Sequence, residues 1–483
     1  MAWVEARHLD GLRASGSSGG VRPPALVGGV SEHRLGRLTL SDGRGAACGI
    51  YCVLLSPASR SRRGAVERIE ADVLIPGRGE PIDDGCVLID GPTIAYAGLT
   101  AGAPATPGAQ IHRVHAVLPG LWDCHAHFIG AFTPDLAELA TNPLALAAMR
   151  VARDAEVALD AGFTSVREVG GLGVWVGRAV AEDTVKGPNV FGAGAVLSPT
   201  GGHADLHMYP VHWVCDLADR VGMLRQCDGV PECLRAVRLQ LREGAQLIKV
   251  CASGGVMSQI DDPIHQQFSS RELRAIVEEA GQAERIVAAH CHGKPGIMAA
   301  LEAGVRTIEH GTYLDDECAD AMRQCDAVLV PTRLIVEEFL AYGAAAGLPD
   351  YAQHKLLAIA DRHAEAIGIA HERGVRIAVG TDVGGSGSTT PARWGQNGAE
   401  LGYLVKYGLS ALEAIEAATA TAPSTLGPRA PRSGQLQPGY DADVIALSGD
   451  PTIDVGILVD PTNVTHVWRA GERKKAPGEP SRA

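Results

Sequence analysis

The sequence predicts an α/β fold: a (β/α)8 TIM barrel with a small β domain assembled from both ends of the chain. Three observations predict it. Short apolar runs alternate with helical stretches over roughly 300 residues. Several of those runs end in a histidine, and a lysine lies inside one of them. The same β-rich texture, cut by turn residues, occurs near both termini.

Residues 1–66 mix Gly, Ser and Arg, as in Ser56-Pro-Ala-Ser-Arg-Ser-Arg-Arg63, and read as a flexible extension. Residues 67–117 and 433–483 are assigned to the β domain. The first part has the runs Ala71–Ile75, Gly85–Asp90 and Thr93–Gly98, expected to form a small antiparallel sheet, and the second has Ala442–Leu447 and Val464–Gly471. Residues 118–432 are assigned to the barrel. Its eight strand-like runs are the stretch from Leu118, then Thr164–Glu168, Asn189–Leu197, Leu247–Cys251, Arg285–His290, Val305–His310, Ala327–Val330 and Val375–Val379. Helix signals separate them: Ser269 and Glu272 as a capping box, Pro295 opening and Gly304 closing the next helix, and Asp315 starting another.

The chain has 483 residues, 46% of them apolar, enough to fill a core of that size. A formal charge of −13 repels nucleic acid and anionic membranes at long range, which leaves a small molecule as the expected partner. Neither a signal peptide nor a membrane-length apolar run is evident, so a cytoplasmic protein is expected. Eleven irregularly spaced cysteines suit a reducing compartment and provide no zinc-finger spacing.

In a TIM barrel the chemistry lies at strand C-termini. His125 and His127 alternate onto one face at the end of the first run, His290 and His310 end the fifth and sixth, and Asp382 follows the eighth. Singly, each histidine could be an interior residue and Asp382 a helix cap. Together they place metal-competent groups on one rim. Lys249 alternates inward in the fourth run, where a bare ammonium is disfavoured unless Asp382 or Glu168 pairs with it. CO2 added to the neutral amine gives a carbamate, an anion able to bridge two cations.

The motifs Pro119-Gly-Leu-Trp-Asp-Cys-His-Ala-His127, Lys249-Val-Cys-Ala-Ser-Gly-Gly-Val-Met257, Ala289-His-Cys-His-Gly293, Ile308-Glu-His310 and Gly380-Thr-Asp382 resemble the amidohydrolase superfamily, in particular its ochratoxinase and Xaa-Pro dipeptidase (imidazolonepropionase-like) branch. The resemblance runs from about residue 70 to about residue 475. It implies a barrel with a composite β-sandwich and two divalent metal ions, most commonly Zn2+. His125, His127, carbamylated Lys249 and Asp382 would hold one ion, and the carbamate, His290 and His310 the other. It also implies a homo-oligomer, as large as an octamer, and cleavage of an amide bond that releases an amino acid, with ochratoxin A (to ochratoxin alpha and phenylalanine) among the candidate substrates.

Charge then suggests the mechanism. Two cations acidify a water they share, one polarises the carbonyl, and Asp382 passes the proton to the departing nitrogen, an otherwise very poor leaving group. His203, in Thr200-Gly-Gly-His203, is read as a catalytic or substrate-binding residue, and His292 as lying behind His290 and contacting substrate. Tyr209 and Trp213, in a long connection from Asp205 to Pro231, are read as an aromatic pocket wall. A Xaa-Pro dipeptidase and a hydrolase of lactones, organophosphates or cyclic amides are the alternatives. A non-enzymatic scaffold would be expected to lack ligands, and a deaminase would lack the bridging lysine.

Overall fold

The computed structural model describes residues 66–478, Thr389 excepted. The predicted extension, residues 1–66, lies almost wholly outside these residues. So do residues 479–483 at the end of the predicted second β segment.

Strands from both ends form one seven-stranded sheet. β1 (Glu67–Leu74), β2 (Ile82–Asp90), β3 (Thr93–Leu99) and β4 (Gln110–Pro119) combine with three strands from the far end, called β16 (Val444–Leu447), β17 (Val464–Arg469) and β18 (Glu472–Lys475) once the intervening strands are counted. The order is β18-β17-β16-β4-β1-β2-β3. The three runs expected to pair antiparallel do so, β1 with β2 and β2 with β3. β4, which sequence reading passed over, pairs parallel with β1 and antiparallel with β16, and so stitches the two chain ends together. Ile69, Leu74, Val87, Ile89, Val117, Val444 and Trp468 pack into its core.

Gly120 turns the chain from β4 into β5 (Leu121–Ala131). β5 pairs parallel with β6 (Phe163–Glu168), and β6 with β7 (Asn189–Gly192). A second arc holds β8 (Val196–Ser198), β9 (Leu224–Gln226), β10 (Ile248–Cys251), β11 (Val287–Cys291), β12 (Thr307–His310), β13 (Val328–Val330) and β14 (Arg376–Ile377) in the order β14-β13-β12-β11-β10-β8-β9. Every residue of β10, β11, β12 and β13 is buried, as expected of parallel strands covered on both faces.

The two arcs are separate hydrogen-bonded sheets and do not make a closed ring. The backbone explains both breaks. Gly194, at φ +72°, splits the predicted run Asn189–Leu197 into β7 and β8. At the other seam, β14 is two residues long and the chain then turns through Gly380-Thr381-Asp382 into β15 (Val383–Gly385), which pairs with β5. A backbone bond of 2.8 Å from Cys124 N to Val379 O ties the arcs together at this seam.

Helices alternate with the strands. The predicted capping box is present at Ser269 and Glu272, opening helix Ser270–Gln282, whose Leu273 and Ile276 are fully buried. Burying each of these side chains contributes about 1.5–3 kcal/mol. The long connection from Asp205 to Pro231 contains helix Val211–Val221 and β9. Among the described residues no helix is long and apolar enough to cross a membrane, and nine cysteines are unpaired.

Candidate metal centre

His125, His127, Lys249, His290, His310 and Asp382 lie close together. His125 sits on β5 where the pairing with β6 becomes irregular, between Asp123 and Ala126. Its Nε2 is 3.5 Å from Asp382 Oδ1 and 3.4 Å from Lys249 Nζ. His127 Nε2 is 3.0 Å from the same carboxylate oxygen. From β11 and β12, the rings of His290 and His310 meet at 4.6 Å, and His310 reaches the ring of His125 at 4.9 Å. The nitrogens of His290, His292 and His310 lie within 4.8 Å of one another, as do those of His125 and His310 with an oxygen of Asp382.

Strained backbone aims these groups. His310 has φ +69°, Thr332 +59° and Asp382 +61°, values rare for residues with a Cβ and rarest for β-branched threonine. Asp382 N donates to His125 O at 2.6 Å, which fixes the turn against β5.

Each histidine is anchored through one ring nitrogen. Nδ1 of His125 bonds Glu309 Oε2 at 2.7 Å, Nδ1 of His127 donates to Gly170 O at 2.7 Å, and Nδ1 of His310 bonds Thr332 Oγ1 at 2.7 Å. His290 uses Nε2, donating to Gly254 O at 3.1 Å, and His292 uses Nδ1, bonding Thr312 Oγ1 at 2.6 Å. Imidazoles anchored in this way present converging lone pairs, the arrangement expected around a divalent cation. The donor set of nitrogens and a carboxylate therefore fits such ions.

Lys249 is 3% exposed, and no carboxylate among the described residues lies within ion-pair distance of it. Burial pushes its amine below the usual lysine range, with Glu309 opposing. Burial also works against ionised Asp382, but neighbouring His125, His127 and Lys249 hold it at about 2.

Sequence reading missed the residues that brace the centre. Glu309 is fully buried and accepts 2.7 Å bonds at both oxygens from Arg167 Nη2. Burial opposes its charge, and Arg167 and His125 keep it well below the usual carboxylate range. Asp123 accepts from Thr381 Oγ1 at 2.5 Å, Asn397 Nδ2 at 2.7 Å and His125 N at 3.0 Å, tying β5 to the Asp382 turn. Charged residues inside otherwise apolar strands were the available signal.

His203 lines the cavity beside the centre and stacks on His290 at 4.1 Å. Its Nδ1 lies 2.8 Å from Ser258 Oγ, which is hydrogen-bonded to Asp261. Asp261 also accepts from Gln267 Nε2 at 2.8 Å and pairs with Lys355 at 3.3 Å. The cavity, of about 220 Å3, is walled by Leu136, Leu206, Met223, Val256, Ile335, Phe339 and Leu356 among others. Tyr209 and Trp213 are not among its lining residues. The Tyr209 hydroxyl donates to Ala137 O at 3.2 Å, and Trp213, on helix Val211–Val221, is 57% exposed. The connection reaches the cavity instead through Leu206, Met223 and Leu224.

The model of the amidohydrolase family matches residues 116–474. The chain belongs to the amidohydrolase family. This amidohydrolase is 43% identical over 455 residues to ochratoxinase from Aspergillus niger, covering 89% of this chain and 93% of that one. The crystal structure of A. niger ochratoxinase superposes with a TM-score of 0.78 at 42% identity, over 86% of this chain and 97% of that one. A Xaa-Pro dipeptidase with methionine bound in its active site gives 0.75 at 29% identity, over 85% and 100%. Imidazolonepropionase from Streptomyces griseus subsp. griseus is 27% identical over 436 residues, 82% of this chain and 95% of that one. This amidohydrolase is thus a hydrolytic enzyme acting on amide C–N bonds, with a TIM-barrel-type α/β fold. Divalent metal is general in the family, and the histidine clusters could hold it.

Proposed function

We propose that this amidohydrolase releases an amino acid from an N-acyl amino acid or dipeptide-like amide, with ochratoxin A as the substrate that similarity points to. The observation that carries the reading is the convergence of anchored imidazoles, Lys249 and Asp382 on one side of an apolar cavity. His125, His127, Asp382 and a carbamate on Lys249 would hold one zinc ion, and the carbamate, His290 and His310 the second. His292, grouped with His290 and His310, is a further candidate ligand. Bound there, the ions would acidify the attacking water and polarise the scissile carbonyl.

The chain's own groups do the rest. Asp382 takes the proton of the attacking water and gives it to the leaving nitrogen, so the base becomes the acid. His203 faces the cavity where the developing oxyanion or the substrate would sit. The apolar walls exclude water and take up the acyl group.

Likeness to a Xaa-Pro dipeptidase supports a second reading, cleavage before proline. A panel with one acyl group and varied C-terminal residues, run beside ochratoxin A and Xaa-Pro dipeptides, separates the two. Turnover of N-acyl amino acids or ochratoxin A is expected, and no turnover of any member by metal-loaded enzyme would overturn the proposal.

A further inference from the structure

One carboxylate holds His203 at two points. The backbone N of His203 donates to Gln267 Oε1 at 3.0 Å, and Gln267 Nε2 donates to Asp261 Oδ2 at 2.8 Å. Its ring Nδ1 lies 2.8 Å from Ser258 Oγ, and Ser258 reaches the other oxygen, Asp261 Oδ1. Asp261 thus stands one residue away from both the main chain and the ring of His203.

Asp261 is itself fixed. Gly255 N donates to its Oδ2 at 3.2 Å. Lys355, on helix Asp350–Glu372, pairs with Oδ1 at 3.3 Å and donates to three carbonyls of the same connection, Gly255 O at 3.1 Å, Ser258 O at 2.8 Å and Asp261 O. Gly254 permits the crowding, because a Cβ there would stand 2.1 Å from Asp262 O.

These donors decide where the protons lie. Gly255 N, Gln267 Nε2 and Lys355 all donate to the Asp261 carboxylate, which accepts throughout. Burial opposes its charge, but His203, Ser258 and Lys355 hold it below the usual carboxylate range. Ser258 has one hydroxyl proton, and the carboxylate is its nearer acceptor, Gly255 O being 3.3 Å away. That proton goes to Asp261, so the bond between Ser258 and His203 must be filled by an N–H at Nδ1. Nε2 takes no hydrogen bond from the described residues, and the ring lies on His290 in the cavity lining.

We propose that Asp261 is a positioning residue for the amide hydrolysis proposed above: through Ser258 and Gln267 it keeps a proton of His203 on Nδ1 and leaves Nε2 to meet the substrate. The kinetic consequence rests on that functional reading, and the proton's place does not. An asparagine cannot substitute. Gly255 N and Gln267 Nε2 require its oxygen, which turns its NH2 toward Ser258. Ser258 then accepts from the amide and donates to Nδ1, so the neutral ring carries its proton on Nε2 instead.

The test uses the full zinc-loaded chain, labelled with ¹⁵N-histidine, with the His203 signals identified by their loss in His203→Ala. Proton–nitrogen correlation spectra are expected to show a proton on Nδ1 of His203 in the wild type and on Nε2 in Asp261→Asn. A wild-type ring with a bare Nδ1, or an unchanged ring in Asp261→Asn, overturns the inference. Ser258→Ala is the companion should Asp261→Asn misfold, and is expected to free Nδ1 in the same spectra.

Kinetics on an N-acyl amino acid supply the second arm. Asp261→Asn is expected to lower kcat/KM about tenfold or more in the wild type, and by less than about twofold when His203 is already alanine, since residues acting as a unit are not additive. An equal loss in both backgrounds would make Asp261 a scaffold residue only and overturn the inference while the proposed function stands. Activity untouched by Asp261→Asn has the same meaning. No turnover by the wild type overturns the proposed function and the kinetic consequence with it, and the nitrogen spectra then decide the placement of the proton alone.

Discussion

Nδ1 of His125 lies 2.7 Å from Glu309 Oε2, in a position where neither side chain reaches water. Arg167 holds the same carboxylate at both oxygens, so an arginine, a glutamate and a histidine from three strands form one buried chain ending at the candidate metal centre. Glu309→Gln keeps the shape but gives up the charge that fixes the imidazole. Metal affinity is expected to fall about 10–100-fold, measured by competition with a chelator. Arg167→Met strands the buried carboxylate and should cost about 3–5 kcal/mol, visible in denaturant unfolding.

Asp382→Asn removes the proton carrier and leaves the turn in place. A loss in kcat of about 10²–10⁴-fold is expected, with KM and circular dichroism little changed. Full activity in this variant would remove Asp382 from the chemistry.

Gly255→Ala tests the seat of His203. A Cβ there would stand 2.1 Å from Cε1 and 2.2 Å from Nδ1 of that ring, so the imidazole must leave its stack on His290. Activity should drop about tenfold or more with little change in melting temperature. An unaltered rate would show that the position of His203 is immaterial.

Glu400 gives a pH dependence away from the centre. Burial raises its carboxyl from 4.5 to about 8, against hydrogen bonds from the amides of Arg333 at 2.9 Å and Leu334 at 2.6 Å. The folded protein thus keeps a proton that the unfolded chain releases above its own value of 4.5. This contribution to stability is complete below pH 4.5 and is lost as pH rises toward about 8. Glu400→Gln, which mimics the protonated form, should flatten that part of the melting temperature's pH profile, and a profile unchanged from wild type would contradict the assignment.

The repeating strand and helix pattern was legible because buried parallel strands such as β11 and β12 read as short apolar runs with a histidine at the end. The histidines, Lys249 and Asp382 could be identified for the same reason: polar residues in apolar runs stand out. The breaks between the arcs were not legible, since Gly194 resembles any other glycine until its φ is known. Glu309, Asp123 and Arg167 were passed over because their purpose depends on partners distant in sequence, Arg167 and Glu309 being 142 positions apart. Tyr209 and Trp213 were placed in the pocket on composition alone, and the helix that carries Trp213 turns its ring toward solvent.

The central claim is that Lys249, as a carbamate, holds two divalent ions together with the histidines and Asp382. It is tested most directly by metal analysis of the purified chain, wild type and Lys249→Ala, combined with ¹³C NMR after exposure to labelled CO2. The account predicts two ions per wild-type chain, a carbamate resonance, and loss of both in the variant. An unmodified lysine in fully active enzyme, or a variant that keeps both ions, would contradict it.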